Sequence, residues 1–140
     1  MQHELNNFQL ERILKKDKCT KNKFLGVFSI DTLPTQVRYP SCFIFNTDPH
    51  DRPGEHWIAV YFDEHETCFF YDPIGMSPTF YRLKQYIQRL SKKVVFNQSQ
   101  IQPFYSRKCG YYSFLFLLFK CRSIRVRLSE SLVKKYFQLK

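Results

Sequence analysis

Four residues able to share one piece of covalent chemistry follow one another along this chain. They are His56 in Gly54-Glu55-His56-Trp57, Asp72 in Tyr71-Asp72-Pro73-Ile74-Gly75, Gln102 in a polar stretch, and Cys109 in Lys108-Cys109-Gly110. A thiol can attack a carbonyl, an imidazole can take and return its proton, a carboxylate can orient the imidazole, and an amide can donate to a developing oxyanion. In that order the residues contain every part of a thiol-based acyl-transfer centre.

Cys109 stands where a polar loop, residues 98–108, gives way to the apolar run Tyr111-Tyr112-Ser113-Phe114-Leu115. That junction predicts a helix start, where unpaired backbone N–H groups and the helix dipole favour a thiolate and can also face an oxyanion. Gly110, which has no side chain, would let a substrate backbone approach closely. The other cysteines, Cys19, Cys42, Cys68 and Cys121, lack such a setting and read as small packed hydrophobes. Five cysteines without a CxxC pair imply neither a disulfide framework nor a zinc site.

His56 needs a partner, and a hairpin supplies one. Residues 57–63 and 67–71 are rich in aromatic and β-branched side chains, and a turn centred on Glu64 and His65 would set Trp57 opposite Asp72. His56 and Asp72 then share one end of the ladder. Asp63, seven residues along the same strand, would lie roughly 23 Å from His56 at about 3.3 Å per residue. His3, His50 and His65 have no comparable carboxylate in reach. Gln98, Gln100 and Gln102 compete for the oxyanion role, and spacing alone does not choose among them. Trp57 reads as a wall of a narrow substrate cleft or as core.

The elements that must position these groups alternate in type. Leu5, Phe8, Ile13 and Leu14 predict a helix over residues 2–16, and strands are expected at 24–30, 41–45 and 93–97. Ser77-Pro78 has the form of a cap and first helical residue, opening a helix through Leu90 with Tyr81, Leu83, Tyr86, Ile87 and Leu90 as its apolar stripe. A central apolar helix from Cys109 to about Arg122 and a short one over 129–137 complete the pattern. The expected class is α+β, with residues 1–140 as one domain.

Twenty-two Lys and Arg against twelve Asp and Glu give a net charge of +10. The excess is dispersed, which suits broad attraction to polyanions rather than sequence reading, and no nucleic-acid-binding signature accompanies it. With 44% hydrophobic residues the chain is globular in composition. The amphipathic, charged amino end is unlike a secretory signal, and the longest apolar run is about half a membrane span, so an intracellular protein away from the membrane is expected.

Taken together, Phe24-Leu25-Gly26, the His-Trp pair, Asp72-Pro73-Ile74-Gly75 and the Gln102-x6-Cys109-Gly110 spacing resemble the adenovirus-type cysteine proteases, relatives of the SUMO-deconjugating proteases. The resemblance covers most of residues 3–122. It implies a central mixed sheet flanked by helices, with the nucleophile at the start of a buried helix. It also implies a Cys109–His56–Asp72 triad and selects Gln102 for the oxyanion hole. Cleavage after glycine in capsid or core precursors of a virus or virus-like element is implied, in the host nucleus or virion, with stimulation by DNA and a viral peptide. Residues 93–97 lack the cysteine that tethers such a peptide in adenovirus enzymes, so no covalent cofactor is expected, nor any metal, and a monomer is. The alternatives are a SUMO or ubiquitin-like isopeptidase using the same residues, and an inactive basic nucleic-acid-binding, capsid-associated module.

Overall fold

The computed structural model describes residues 7–48, 56–97 and 109–123. Their elements are α1 (Asn7–Lys16), β1 (Phe24–Ser29), β2 (Ser41–Asn46), β3 (Trp57–Phe62), β4 (Thr67–Tyr71), α2 (Lys84–Leu90), β5 (Lys93–Phe96) and α3 (Cys109–Cys121). The expected helix over 129–137 and the oxyanion loop with Gln102 lie outside the described residues.

The five strands form one mixed sheet in the order β1-β2-β3-β4-β5. β1 and β5 run parallel to their neighbours β2 and β4, whereas β2, β3 and β4 are antiparallel to one another. Every residue of β2 and β3 is buried, so the centre of the sheet is covered on both faces, which explains the apolar runs 42–45 and 57–62. One face, with Cys42, Ile44, Ala59, Tyr61 and Tyr71, packs against Leu10 and Leu14 of α1 and the apolar side of α3. The other, with Phe43, Phe45, Ile58, Val60 and Phe70, packs against Leu83 and α2. This is the α+β arrangement expected from the sequence.

Three expectations are corrected. The β3–β4 hairpin pairs Phe62 with Cys68 and Ala59 with Tyr71, one residue out of the anticipated register. The cause is its loop. The Asp63 carboxylate accepts hydrogen bonds from the N–H groups of His65 and Thr67, and Glu66 takes a left-handed φ of 62°, so three residues rather than two make the turn.

The second correction is to α2, which begins at Lys84 rather than at Ser77-Pro78. Residues 77–82 form successive tight turns, with N–H groups of Phe80, Tyr81 and Arg82 bonded to carbonyls of Ser77, Pro78 and Thr79. Arg82, at φ 61°, then reverses the backbone hand and blocks continuation into a helix.

Third, Cys19 and Cys121 form a disulfide with Cα atoms 6.1 Å apart. Packing of α1 on α3 brings together two cysteines 102 residues apart, a proximity that local spacing does not reveal. Cys42 and Cys68 are free and buried, as expected.

Candidate active site

Asp72 directly follows β4, and His56 directly precedes β3. Continuing the observed register by one pair sets Asp72 level with Ile58, so His56, two residues before Ile58, lies on the same face as Asp72 and diagonal to it. The anticipated register would have turned the two side chains to opposite faces. Instead His56 Nε2 lies 2.6 Å from Asp72 Oδ1.

Asp72 is wholly buried, a setting a carboxylate tolerates only when its lone pairs are satisfied. Here Oδ1 accepts from His56 Nε2 and from the Ile74 N–H at 3.0 Å. Oδ2 accepts from the Met76 N–H at 3.1 Å and the Tyr81 hydroxyl at 2.5 Å. The chain reaches these donors through a tight turn in which Gly75, at φ 80°, donates its N–H to the Asp72 carbonyl. Asn97, just beyond β5, grips the Asp72 main chain, its Oδ1 accepting from the N–H at 2.9 Å and its Nδ2 donating to the carbonyl at 2.6 Å.

Because an ionised carboxylate only accepts, Nε2 of His56 carries the proton and Nδ1 is the basic ring nitrogen. The imidazole is 16% exposed and so keeps an opening toward the surface. Its carbonyl accepts from the Thr47 N–H, which extends the β2–β3 pairing to this residue.

On the other face of the sheet, α3 begins at Cys109. Its Ser113 donates a buried hydrogen bond of 2.8 Å to the carbonyl of Trp57, the residue next to His56. Cys109 is four residues before Ser113, or about 6 Å along the axis at 1.5 Å per residue. The start of α3 is thereby held near the end of the ladder where His56 and Asp72 meet.

The chain matches the model of the adenovirus endoprotease family over residues 24–132. It belongs to that family. No curated protein sequence shows a significant match. Among solved structures, the fold is similar to the ASFV pS273R protease, at 19% identity and a TM-score of 0.59 over 95% of this chain and 66% of that one. It is similar as well to the SUMO protease Ulp1, in a structure with its catalytic cysteine oxidised to a sulfinic acid, at 12% identity and a TM-score of 0.60 over 99% of this chain and 75% of that one. The shared fold accounts for the mixed sheet flanked by helices.

The structure thus brings His56 and Asp72 together and places Cys109 at the head of α3. Gln102 lies outside the described residues, as does the side chain of Cys109. Trp57 is 9% exposed and packs with the α1–α3 core. The sequence pattern does not mark Tyr81 or Asn97 as site residues. Tyr81 sits at helical spacing with α2, and only its hydroxyl hinted at a polar partner. Asn97 reads in the sequence as the end of a strand. Among the described residues no cluster of three or more metal-ligating side chains occurs, and no helix is long and apolar enough to cross a membrane.

Proposed function

We propose that this chain is a cysteine endopeptidase working through Cys109, His56 and Asp72, with Gln102 donating to the oxyanion, and that it cleaves after glycine in precursor proteins of a virus or virus-like element. The observation that carries the reading is the 2.6 Å contact between His56 and a wholly buried Asp72, beside a helix that starts at Cys109. The Cys109 thiolate attacks the scissile carbonyl carbon, and the carbonyl oxygen becomes an oxyanion facing the Cys109 N–H and Gln102. The tetrahedral adduct collapses as the protonated His56 gives its proton to the departing amine. Water, deprotonated by His56, then splits the thioester to release the acid and restore the thiol pair.

A second reading, isopeptidase action on a glycine-ended modifier tail, draws on the fold shared with the SUMO protease Ulp1. Stimulation by DNA is part of the proposal and draws on the +10 net charge. The test is labelling of purified protein by a glycine-ended peptide electrophile, with and without DNA, beside Cys109→Ala. Labelling that requires Cys109 is expected. No labelling under any condition overturns the protease reading, and labelling retained in Cys109→Ala overturns the assignment. Cleavage of a SUMO conjugate but of no linear peptide would favour the second reading.

A further inference from the structure

Asp72 carries a hydrogen bond that a triad does not by itself require. Its Oδ1 serves His56, while its Oδ2, turned to the other side, accepts from the Tyr81 hydroxyl at 2.5 Å. The Tyr81 ring also flanks the imidazole, with centroids 6.3 Å apart and planes 25° from parallel. One side chain therefore touches both members of the pair.

The backbone is shaped to put it there. Tyr81 lies in the turns that replace the first part of the expected helix, and the left-handed Arg82 after it ends them. That conformation is unfavourable for a residue with a Cβ atom and must be held by its surroundings. Phe80 packs edge-on against the Tyr81 ring at 5.1 Å. A carboxylate bonded through one oxygen still rocks about its last torsion, which is broad for Asp. Donors on both oxygens stop that motion, and a short bond from a neutral hydroxyl to an anion is among the stronger ones available.

We propose that Tyr81 is a positioning residue of the catalytic centre. Its hydroxyl holds Oδ2 and its ring borders the imidazole, so that Asp72 and His56 meet the nucleophile as one rigid pair. The hydroxyl keeps its proton throughout. The proposal rests on the triad reading above.

The test uses Tyr81→Phe, which keeps the ring and removes the donor, and a variant with 3-fluorotyrosine at position 81, whose hydroxyl is a stronger donor of nearly the same shape. For Tyr81→Phe, kcat on a glycine-containing peptide should fall about ten- to hundredfold, the worth of one hydrogen bond to a charged group, while KM moves about twofold or less. The low-field proton resonance of the His56 ring N–H should shift in Tyr81→Phe and shift the opposite way with fluorotyrosine, which should retain near wild-type kcat. The resonance reports the bonded pair in the resting protein whether or not any peptide is cut. An inert wild type therefore counts against the protease reading, whereas an unmoved resonance in both variants overturns the role of Tyr81. If Tyr81→Phe does not fold, the fluorotyrosine resonance decides alone. An undiminished kcat in folded Tyr81→Phe also overturns the proposal.

Discussion

Ser113 Oγ donates to the Trp57 carbonyl at 2.8 Å, joining α3 to β3 one helical turn from Cys109 and one residue from His56. Both partners are buried, so Ser113→Ala leaves a carbonyl without its donor. The expected cost is about 1–3 kcal/mol in urea unfolding. Because the same bond spaces α3, which carries the proposed nucleophile Cys109, from His56, kcat should fall as well, with KM nearly unchanged. A variant as stable and as active as the wild type would show that this bond positions nothing.

Thiol chemistry should be confined to one residue. Burial pushes the Cys42 thiol up to about 12, against the opposing pull of Lys23 and Arg38, and burial likewise pushes Cys68 up to about 12. At pH 8 each is a thiolate about one part in ten thousand. Brief alkylation of the native protein, followed by peptide mass mapping, should therefore find the label on Cys109 and not on Cys42 or Cys68. Equal labelling of the three would remove the case for a special thiol.

Much of this centre was legible because strands announce themselves by composition. The β3–β4 hairpin could be read from aromatic and β-branched residues around a polar turn, and it was enough to choose Asp72 over Asp63. Its register was not legible, since that depends on the Asp63 carboxylate closing a three-residue loop rather than on strand pattern. Tyr81 was hidden for a related reason. Its spacing from Leu83 and Tyr86 suits a helix, and only the tertiary bond to Asp72, with Arg82 left-handed beside it, shows why the helix starts later. The Cys19–Cys121 bridge depends on how α1 lies against α3, which no local pattern encodes. The choice of Gln102 came from family spacing alone.

That bridge should be measurable. It closes a loop of about a hundred residues, and a cross-link of this span typically adds about 2–4 kcal/mol. Reduction, or Cys19→Ser, should lower the urea midpoint accordingly. Thiol titration of the denatured oxidised protein should find three of the five cysteines free. Five free thiols after purification without reductant would contradict the pairing.

Beside the bridge, Arg122 pairs with Asp17. Burial raises the Asp17 pKa, but the Arg122 guanidinium and the N–H groups of Thr20 and Cys19 outweigh it and hold the carboxyl below its ordinary value. A lowered folded-state pKa contributes stability that is complete above the unfolded value, about 3.9, and disappears as pH falls through the folded one. Asp17→Asn should thus lower Tm at neutral pH by on the order of a few degrees, given that the pair is partly solvated. The gap between variant and wild type should close as pH falls through the lowered folded-state pKa and the carboxyl becomes neutral. A gap that persists unchanged there would assign the effect to packing instead of charge.

Asp72→Asn is the sharpest probe of the pair itself. Asp72 faces four donors, from His56, Ile74, Met76 and Tyr81. An asparagine has one oxygen to offer them and turns an NH2 group toward the rest, so either His56 or the turn and Tyr81 must face a donor instead of an acceptor. If the amide nitrogen faces His56, Nε2 becomes the acceptor and Nδ1 takes the proton, which is the wrong tautomer for a base at Nδ1. A loss in kcat of about 10⁴-fold is expected, as for the same exchange in a serine triad. The variant should also unfold more easily, because at least one buried donor loses its partner. Alkylation of Cys109 should slow in parallel with kcat if the imidazolium helps hold the thiolate. Full turnover by Asp72→Asn would show that the buried carboxylate supports the turn between β4 and α2 and has no part in the chemistry.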